Sequence, residues 1–289
     1  MMASMSGKTV LITGATNGIG KVTALELAKM GAQVVVVGRS KERTDAVRDA
    51  IRTAGGQADT LVADLSSMSE VRRLADAIKR QYSRLDVLLN NAGAIFPSRE
   101  TTVDGYEMTF ALNHLAYFLL TNLLLDMLKD SGNSRIINVS SDAHKGAKLN
   151  FDDLQTEKGY GMGGLAAYSR SKLANVLFTY ELARRLSGTR VTANALHPGF
   201  VATGFGHTRG GLMSFAMRFI SRFALKPEQG AETSIYLASS PEVEGVTGKY
   251  FEKCKAVPSS SESYDEAAQR RLWEVSEQLT GLAVGSAAR

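Results

Sequence analysis

Short apolar runs and helical patterns alternate along this chain for about 200 residues, and that alternation constrains the fold more than any other feature. Lys8 to Thr13 (KTVLIT) is a β-branched run that ends at a glycine, the pattern of a buried parallel strand. From Gly18 to Met30, residues Ile19, Val22, Leu25 and Leu27 recur at helical spacing, and Gly31 suits a C-cap. Gln33 to Gly38 (QVVVVG) reads as the second strand, followed by a charged helix from about Lys41 to Thr53. A strand over Thr60 to Ala63, a helix over Met68 to Tyr82 and a strand over Leu85 to Asn90 continue the series. A long helix from Gly105 to Lys129, a strand over Arg135 to Val139, a helix from Tyr168 to about Leu186 and a strand over Arg190 to Ala195 follow. This order predicts an α/β fold, a doubly wound parallel sheet of Rossmann type. No repeat or linker interrupts the 289 residues, so we expect a single domain.

Composition narrows the function classes. A lone Cys254 rules out an internal disulfide and a Cys-rich zinc site, and points to a reducing compartment. The four His residues do not stand at metal-ligand spacing, so no metal is expected. The net charge of +5 is spread along the chain among acidic residues, the pattern of a solvated surface, not of a nucleic-acid site. Met1 to Gly7 has no apolar h-region, and no run reaches the ~18 apolar residues of a membrane span. A cytoplasmic protein is the expectation.

Two local patterns carry chemistry. Between the first strand and first helix lies Thr13-Gly14-Ala15-Thr16-Asn17-Gly18-Ile19-Gly20. Glycines here permit a tight turn and let a pyrophosphate approach the free N–H groups of a helix N-terminus. Taken alone, the pattern also fits a βα turn without a ligand. At the end of the second strand stand Gly38-Arg39-Ser40-Lys41, where NAD-binding folds often place an acid for the ribose 2′-hydroxyl. Without that acid, and with the planar fork of Arg39, the site favours NADP(H), with NAD(H) the other candidate. Further along, Tyr168 and Lys172 are four residues apart and share one helix face. A nearby ammonium lowers the cost of a phenolate, whose usual pKa is about 10.

With Gly14, Gly18, Gly20, Tyr168 and Lys172 in this order, the chain resembles the short-chain dehydrogenase/reductase superfamily. Asn90-Asn91-Ala92-Gly93 resembles a family segment that supports the sheet beside the cofactor. Asp64, followed by Leu65, matches the acid that contacts adenine. Asn113 falls on the helix position that holds a structural water near the active-site Lys. Ser141 matches the catalytic serine. His197-Pro198-Gly199-Phe200-Val201-Ala202-Thr203 resembles the segment that closes over the nicotinamide. The resemblance runs over roughly residues 7 to 280. Phe151-Asp152-Asp153-Leu154, Tyr168 through Ala174 and Leu272-Trp273-Glu274 are similar to retinol-dehydrogenase-type members. The stretch ahead of the first strand lacks the membrane anchor common in the animal enzymes.

The resemblance implies reversible hydride transfer between nicotinamide and a carbonyl or alcohol. Tyr168 would exchange the proton, Ser141 would hold the substrate oxygen, Lys172 would bind the ribose and lower the Tyr168 pKa, and Asn113 would anchor the relay water. The implied cofactor contacts are Gly14, Thr16, Asn17, Gly18, Ile19, Gly20, Arg39, Ser40, Asp64, Leu65, Asn91, Ala92, Gly93, Tyr168, Lys172, Pro198, Gly199, Val201 and Thr203. An apolar stretch over about 203–226 reads as a substrate lid, which suggests a hydrophobic carbonyl or alcohol as partner. An interfacial helix is the competing reading of that stretch. Residues from about 252 to 289 read as a C-terminal extension. A non-catalytic NADP(H) sensor is the alternative function, and a homodimer is one assembly the sequence leaves open.

Overall fold

The computed structural model describes residues 4–199 and 226–282. Phe200, Val201, Ala202, Thr203 and nearly all of the expected lid lie outside the described residues.

Eight strands form one sheet in the order β3-β2-β1-β4-β5-β6-β7-β8. They are β1 (Thr9–Thr13), β2 (Gln33–Gly38), β3 (Gln57–Val62), β4 (Val87–Asn90), β5 (Arg135–Val139), β6 (Thr192–His197), β7 (Tyr250–Glu252) and β8 (Lys255–Val257). Every neighbouring pair is parallel except β7 with β8, an antiparallel hairpin turned at Lys253 and Cys254, both at positive φ. Two adjacent residues in that conformation match the right-handed twist of the strands they join. The doubly wound parallel sheet expected from the sequence is therefore present, with one antiparallel edge strand.

Successive strand side chains point to opposite faces, and both faces are apolar. Leu11, Val35, Val37, Leu88 and Ile136 face a layer made by α3 (Met68–Gln81), α5 (Ala116–Leu123) and α7 (Leu165–Arg185). Val10, Ile12, Val34, Val36, Leu89 and Ile137 face α1 (Gly18–Lys29), α2 (Lys41–Thr53) and α8 (Pro227–Ser239). Burial on both faces explains why the inner strands read as unbroken apolar runs. β3 begins three residues before its expected start because it is an edge strand, where Gln57 and Asp59 tolerate exposure.

The expected long helix from Gly105 is broken. It begins at α4 (Met108–Phe110), where the Glu107 carboxylate accepts from the Thr109 and Phe110 amides at 2.6 and 2.8 Å. A π-helical turn over Ala111–Leu115 follows, and Leu124 separates α5 from α6 (Leu125–Asp130). Insertions of this kind shift the side chains that follow around the helix axis.

Residues beyond 252 are not an appendage. The expected extension starts inside β7 and includes α9 (Glu266–Thr280), which packs on α7 and α5. Trp273 on α9 is buried with its ring 4.9 Å from that of Phe118 and 5.8 Å from that of Phe178, and the Arg185 guanidinium lies 4.2 Å from its centre. A second copy of the chain therefore cannot dock on the part of α5 and α7 that α9 covers.

Candidate active site

The strand order reverses between β1 and β4, and open α/β sheets bind ligands beyond the strand ends at such a point. Both segments read as cofactor loops lie there. Gly14 has φ +66°, and a Cβ on it would come within 2.8 Å of the Ala92 Cα. A Cβ on Gly20 would lie 2.5 Å from both the Asn91 amide nitrogen and the Gly14 oxygen. Asn91 ties the two loops together, donating to the Thr13 oxygen at 2.9 Å and the Gly14 oxygen at 3.2 Å. Thr13 completes the link, its hydroxyl accepting from the Asn91 and Ala92 amides. Asn17, the N-cap of α1, makes no side-chain capping bond, and the first turn carries no acid. The helix N-terminus is thus left with unpaired donors and positive dipole, which fits a dinucleotide pyrophosphate.

At the end of β2, Arg39 is exposed and enters no ion pair among the described residues. Its neighbours are already engaged. The Ser40 hydroxyl caps α2 by accepting from the Arg43 amide at 3.3 Å, and Lys41 pairs with Asp45 at 2.5 Å. Gly38 is a packing glycine: a Cβ there would meet the Thr16 methyl at 2.4 Å and the Thr44 methyl at 3.0 Å. Thr16 therefore serves first to wedge the glycine loop against β2. Asp64 is exposed, with one carboxylate oxygen accepting from the Ser66 amide and hydroxyl. The Leu65 side chain is in the core, so only its backbone could face a ligand.

The expected catalytic residues converge from three elements. Ser141 follows β5, Tyr168 and Lys172 lie on the first turns of α7, and Asn113 sits in the π-helical turn. The Ser141 hydroxyl stands close enough to the Tyr168 phenol to favour its ionised form. Lys172 is buried, with its ammonium 5.6 Å from the centre of the Tyr168 ring and 5.8 Å from that of Tyr117. Its hydrogen bond runs to the Val139 oxygen at 3.0 Å, and Gly93 packs beside it, where an added Cβ would stand 3.4 Å from Nζ. Pro198 and Gly199 follow β6 at the same end of the sheet.

Burial pushes the Tyr168 phenol above its usual range, and the nearby Ser141 hydroxyl opposes that shift. Lys172 is itself pushed down to about 7 by burial, because desolvation penalises the charged form of each group. The Asn113 side chain joins two segments: its Oδ1 accepts from the Ala94 amide at 2.9 Å, while Nδ2 donates to the Ala94 oxygen at 2.9 Å and the Ser171 hydroxyl at 3.0 Å, so it braces the loop after β4. Ser171, which joins Asn113 to the Tyr168 carbonyl at 2.7 Å, was not singled out in the sequence. Neither were Asn175 and His144, which lie in the same buried network.

A family profile described as short chain dehydrogenase matches residues 8–153. The chain is 46% identical to Retinol dehydrogenase 14 of Homo sapiens, over 96% of this chain and 88% of that protein. It is also 46% identical to Retinol dehydrogenase 13 of Homo sapiens, over 97% of this chain and 86% of that protein. Among solved structures, an uncharacterized protein from Mycobacterium paratuberculosis aligns with a TM-score of 0.78 at 36% identity, over 97% of this chain and 96% of that one. The NADP active-site complex of Pseudomonas aeruginosa RhlG aligns with a TM-score of 0.68 at 26% identity, over 91% of this chain and 98% of that one. By these likenesses the chain belongs to the short-chain dehydrogenase/reductase family of nicotinamide-dependent oxidoreductases, in its retinol-dehydrogenase-like branch.

Proposed function

We propose that this protein is an NADP(H)-dependent oxidoreductase that interconverts a hydrophobic aldehyde or ketone and the corresponding alcohol. The observation that carries this reading is the meeting of the Ser141 hydroxyl, the Tyr168 phenol and the buried Lys172 ammonium past the end of β5. When bound, the dinucleotide gives or takes hydride at its nicotinamide ring.

The chain's own residues handle the proton and the oxygen. Tyr168 gives its phenolic proton to the substrate oxygen in reduction and recovers it in oxidation. A phenol held above its usual range stays protonated at neutral pH, which suits the reductive direction. Ser141 donates to the same oxygen, where negative charge develops. Lys172 reaches the ribose of the dinucleotide, and its charge offsets that of a transient Tyr168 phenolate. Asn113 and Ser171 keep the loop after β4 and the first turn of α7 in register. Arg39, exposed and without an ion pair among the described residues, would hold the 2′-phosphate. A sensor that only binds the dinucleotide would leave the Ser141, Tyr168 and Lys172 constellation without a task.

The substrate class rests on the apolar character of residues 203–226 and on the names of the relatives, which act on retinol. Among the described residues, no helix is long and apolar enough to cross a membrane. The test is NADPH oxidation by the purified protein over a panel of aliphatic, aromatic and retinoid aldehydes and ketones. Turnover should favour the apolar members. No oxidation with any of them, and no reduction of NADP with the matching alcohols, would overturn the reading.

A further inference from the structure

His144 lies three residues after Ser141, and its ring connects the end of β5 to a segment more than a hundred residues away. The link starts in a tight turn. Ser141 opens a 3-10 turn over Asp142–His144, its hydroxyl accepting from the Ala143 amide at 3.2 Å. The His144 ring folds back so that Nδ1 is 2.7 Å from the Ser141 carbonyl oxygen. Its other nitrogen, Nε2, is 3.0 Å from the backbone nitrogen of Ser260.

These two contacts fix the tautomer. A backbone N–H can only donate and a carbonyl can only accept. Nε2 must therefore be the bare nitrogen, and Nδ1 carries the proton that goes to Ser141. An imidazolium would set a second N–H against the Ser260 amide. The ring is wholly buried, 4.8 Å from that of Tyr250, whose hydroxyl donates to Asp142 at 3.2 Å. The charged and titratable groups around it are Asp142 and Lys145 on its own turn, Glu262 on the 261–264 turn, Tyr250 on β7 and His197 on β6. Burial outweighs the two acids and holds the His144 pKa below its ordinary value, in keeping with the tautomer.

Taking Ser141 as the residue that holds the substrate oxygen, we propose that neutral His144 is its positioning residue. His144 fixes the Ser141 carbonyl, and so the direction of the Ser141 hydroxyl, with the backbone of residues 258–264 as its anchor. The C-terminal part of the chain then acts on catalysis without touching substrate or cofactor. A small displacement of a polarising group is enough to matter, since misplacement by about 1 Å can cost on the order of a hundredfold in rate.

Three variants of the full-length protein test this. His144→Asn keeps a donor near the Nδ1 position, whereas His144→Phe keeps only the ring shape. Ser141→Ala tests the reading on which the proposal rests. Turnover in carbonyl reduction should fall about tenfold or more in His144→Phe and less than about threefold in His144→Asn. The KM for NADPH should stay within about threefold in both. Unchanged kcat in His144→Phe, or a loss in folded His144→Asn as large as in His144→Phe, would overturn the proposal. Near-normal turnover in Ser141→Ala would instead remove Ser141 from the mechanism, so the two failures are distinguishable.

Discussion

The Lys172 ammonium lies 5.6 Å from the centre of the Tyr168 ring, yet its hydrogen bond goes to the Val139 carbonyl at 3.0 Å. Lys172 is thus held by the end of β5 beside the phenol it serves. Burial brings it down to about 7, so the ammonium form is lost as the pH rises through neutrality. If the charged form is the one that binds the ribose, kcat/KM for NADPH should fall above about pH 7. That parameter reports groups of the free enzyme. Values that stay level from pH 6 to 9 would show that Lys172 remains charged or has no part in binding.

Cofactor choice should depend on Arg39. A 2′-phosphate carries nearly two negative charges, and charge-assisted hydrogen bonds change affinity by roughly ten- to a hundredfold. Exposure to salt should keep the effect near the lower figure. Arg39→Ala should raise the KM for NADPH about tenfold and leave that for NADH within about twofold. An equal kcat/KM for the two cofactors in the unmodified protein would contradict the assignment. An acid at Gly38, the substitution the sequence suggests for recruiting NADH, is a poor test. Its Cβ would collide with the Thr16 methyl at 2.4 Å.

Acid stability should report His114. This ring, next to Asn113 in the π-helical turn, is fully buried and bonds to the Ser276 hydroxyl on α9 at 2.9 Å. Burial lowers its pKa from 6.5 to about 3. Between those values the unfolded chain binds more protons than the folded one, so stability rises with pH across that window. The contribution is complete above about pH 6.5 and is lost as the pH falls toward 3, with a slope of about 1.4 kcal/mol per pH unit. Urea unfolding from pH 4.5 to 7 should show one less proton of linkage in His114→Gln than in the parent. An identical slope would mean that the ring is charged or accessible when folded.

The C-terminal helix should behave as core. Trp273→Ala removes a buried ring packed on Phe118 and Phe178, and truncations of this size cost about 3–5 kcal/mol. Urea denaturation would measure it, and a loss below about 1 kcal/mol would show that α9 is only loosely attached.

What the sequence disclosed follows from how local each signal was. β1, β2 and β5 are inner strands buried on both faces, so their apolar runs marked them almost to the residue. The polar start of β3 at the sheet edge carried no such mark. Gly14, Gly20, Tyr168 and Lys172 were legible because turn geometry and helical spacing are written over a few residues. The π-helical turn was not, since its extra residue is held by contacts of Asn113 with Ala94 and Ser171. His144 was silent for the same reason: its partner, Ser260, is 116 positions away. Trp273 stood out, but nothing near it named Phe118 as its neighbour.

The central claim is that Tyr168 is the proton donor of an NADPH-dependent carbonyl reduction, and Tyr168→Phe tests it most directly. The substitution keeps the ring beside Lys172 and removes only the hydroxyl. General acid catalysis contributes about 10²–10⁴-fold, so single-turnover oxidation of bound NADPH should slow by at least about a hundredfold. The dissociation constant for NADPH, followed by its fluorescence, should stay within about threefold. Oxidation at a near-normal rate with NADPH binding intact would contradict the account.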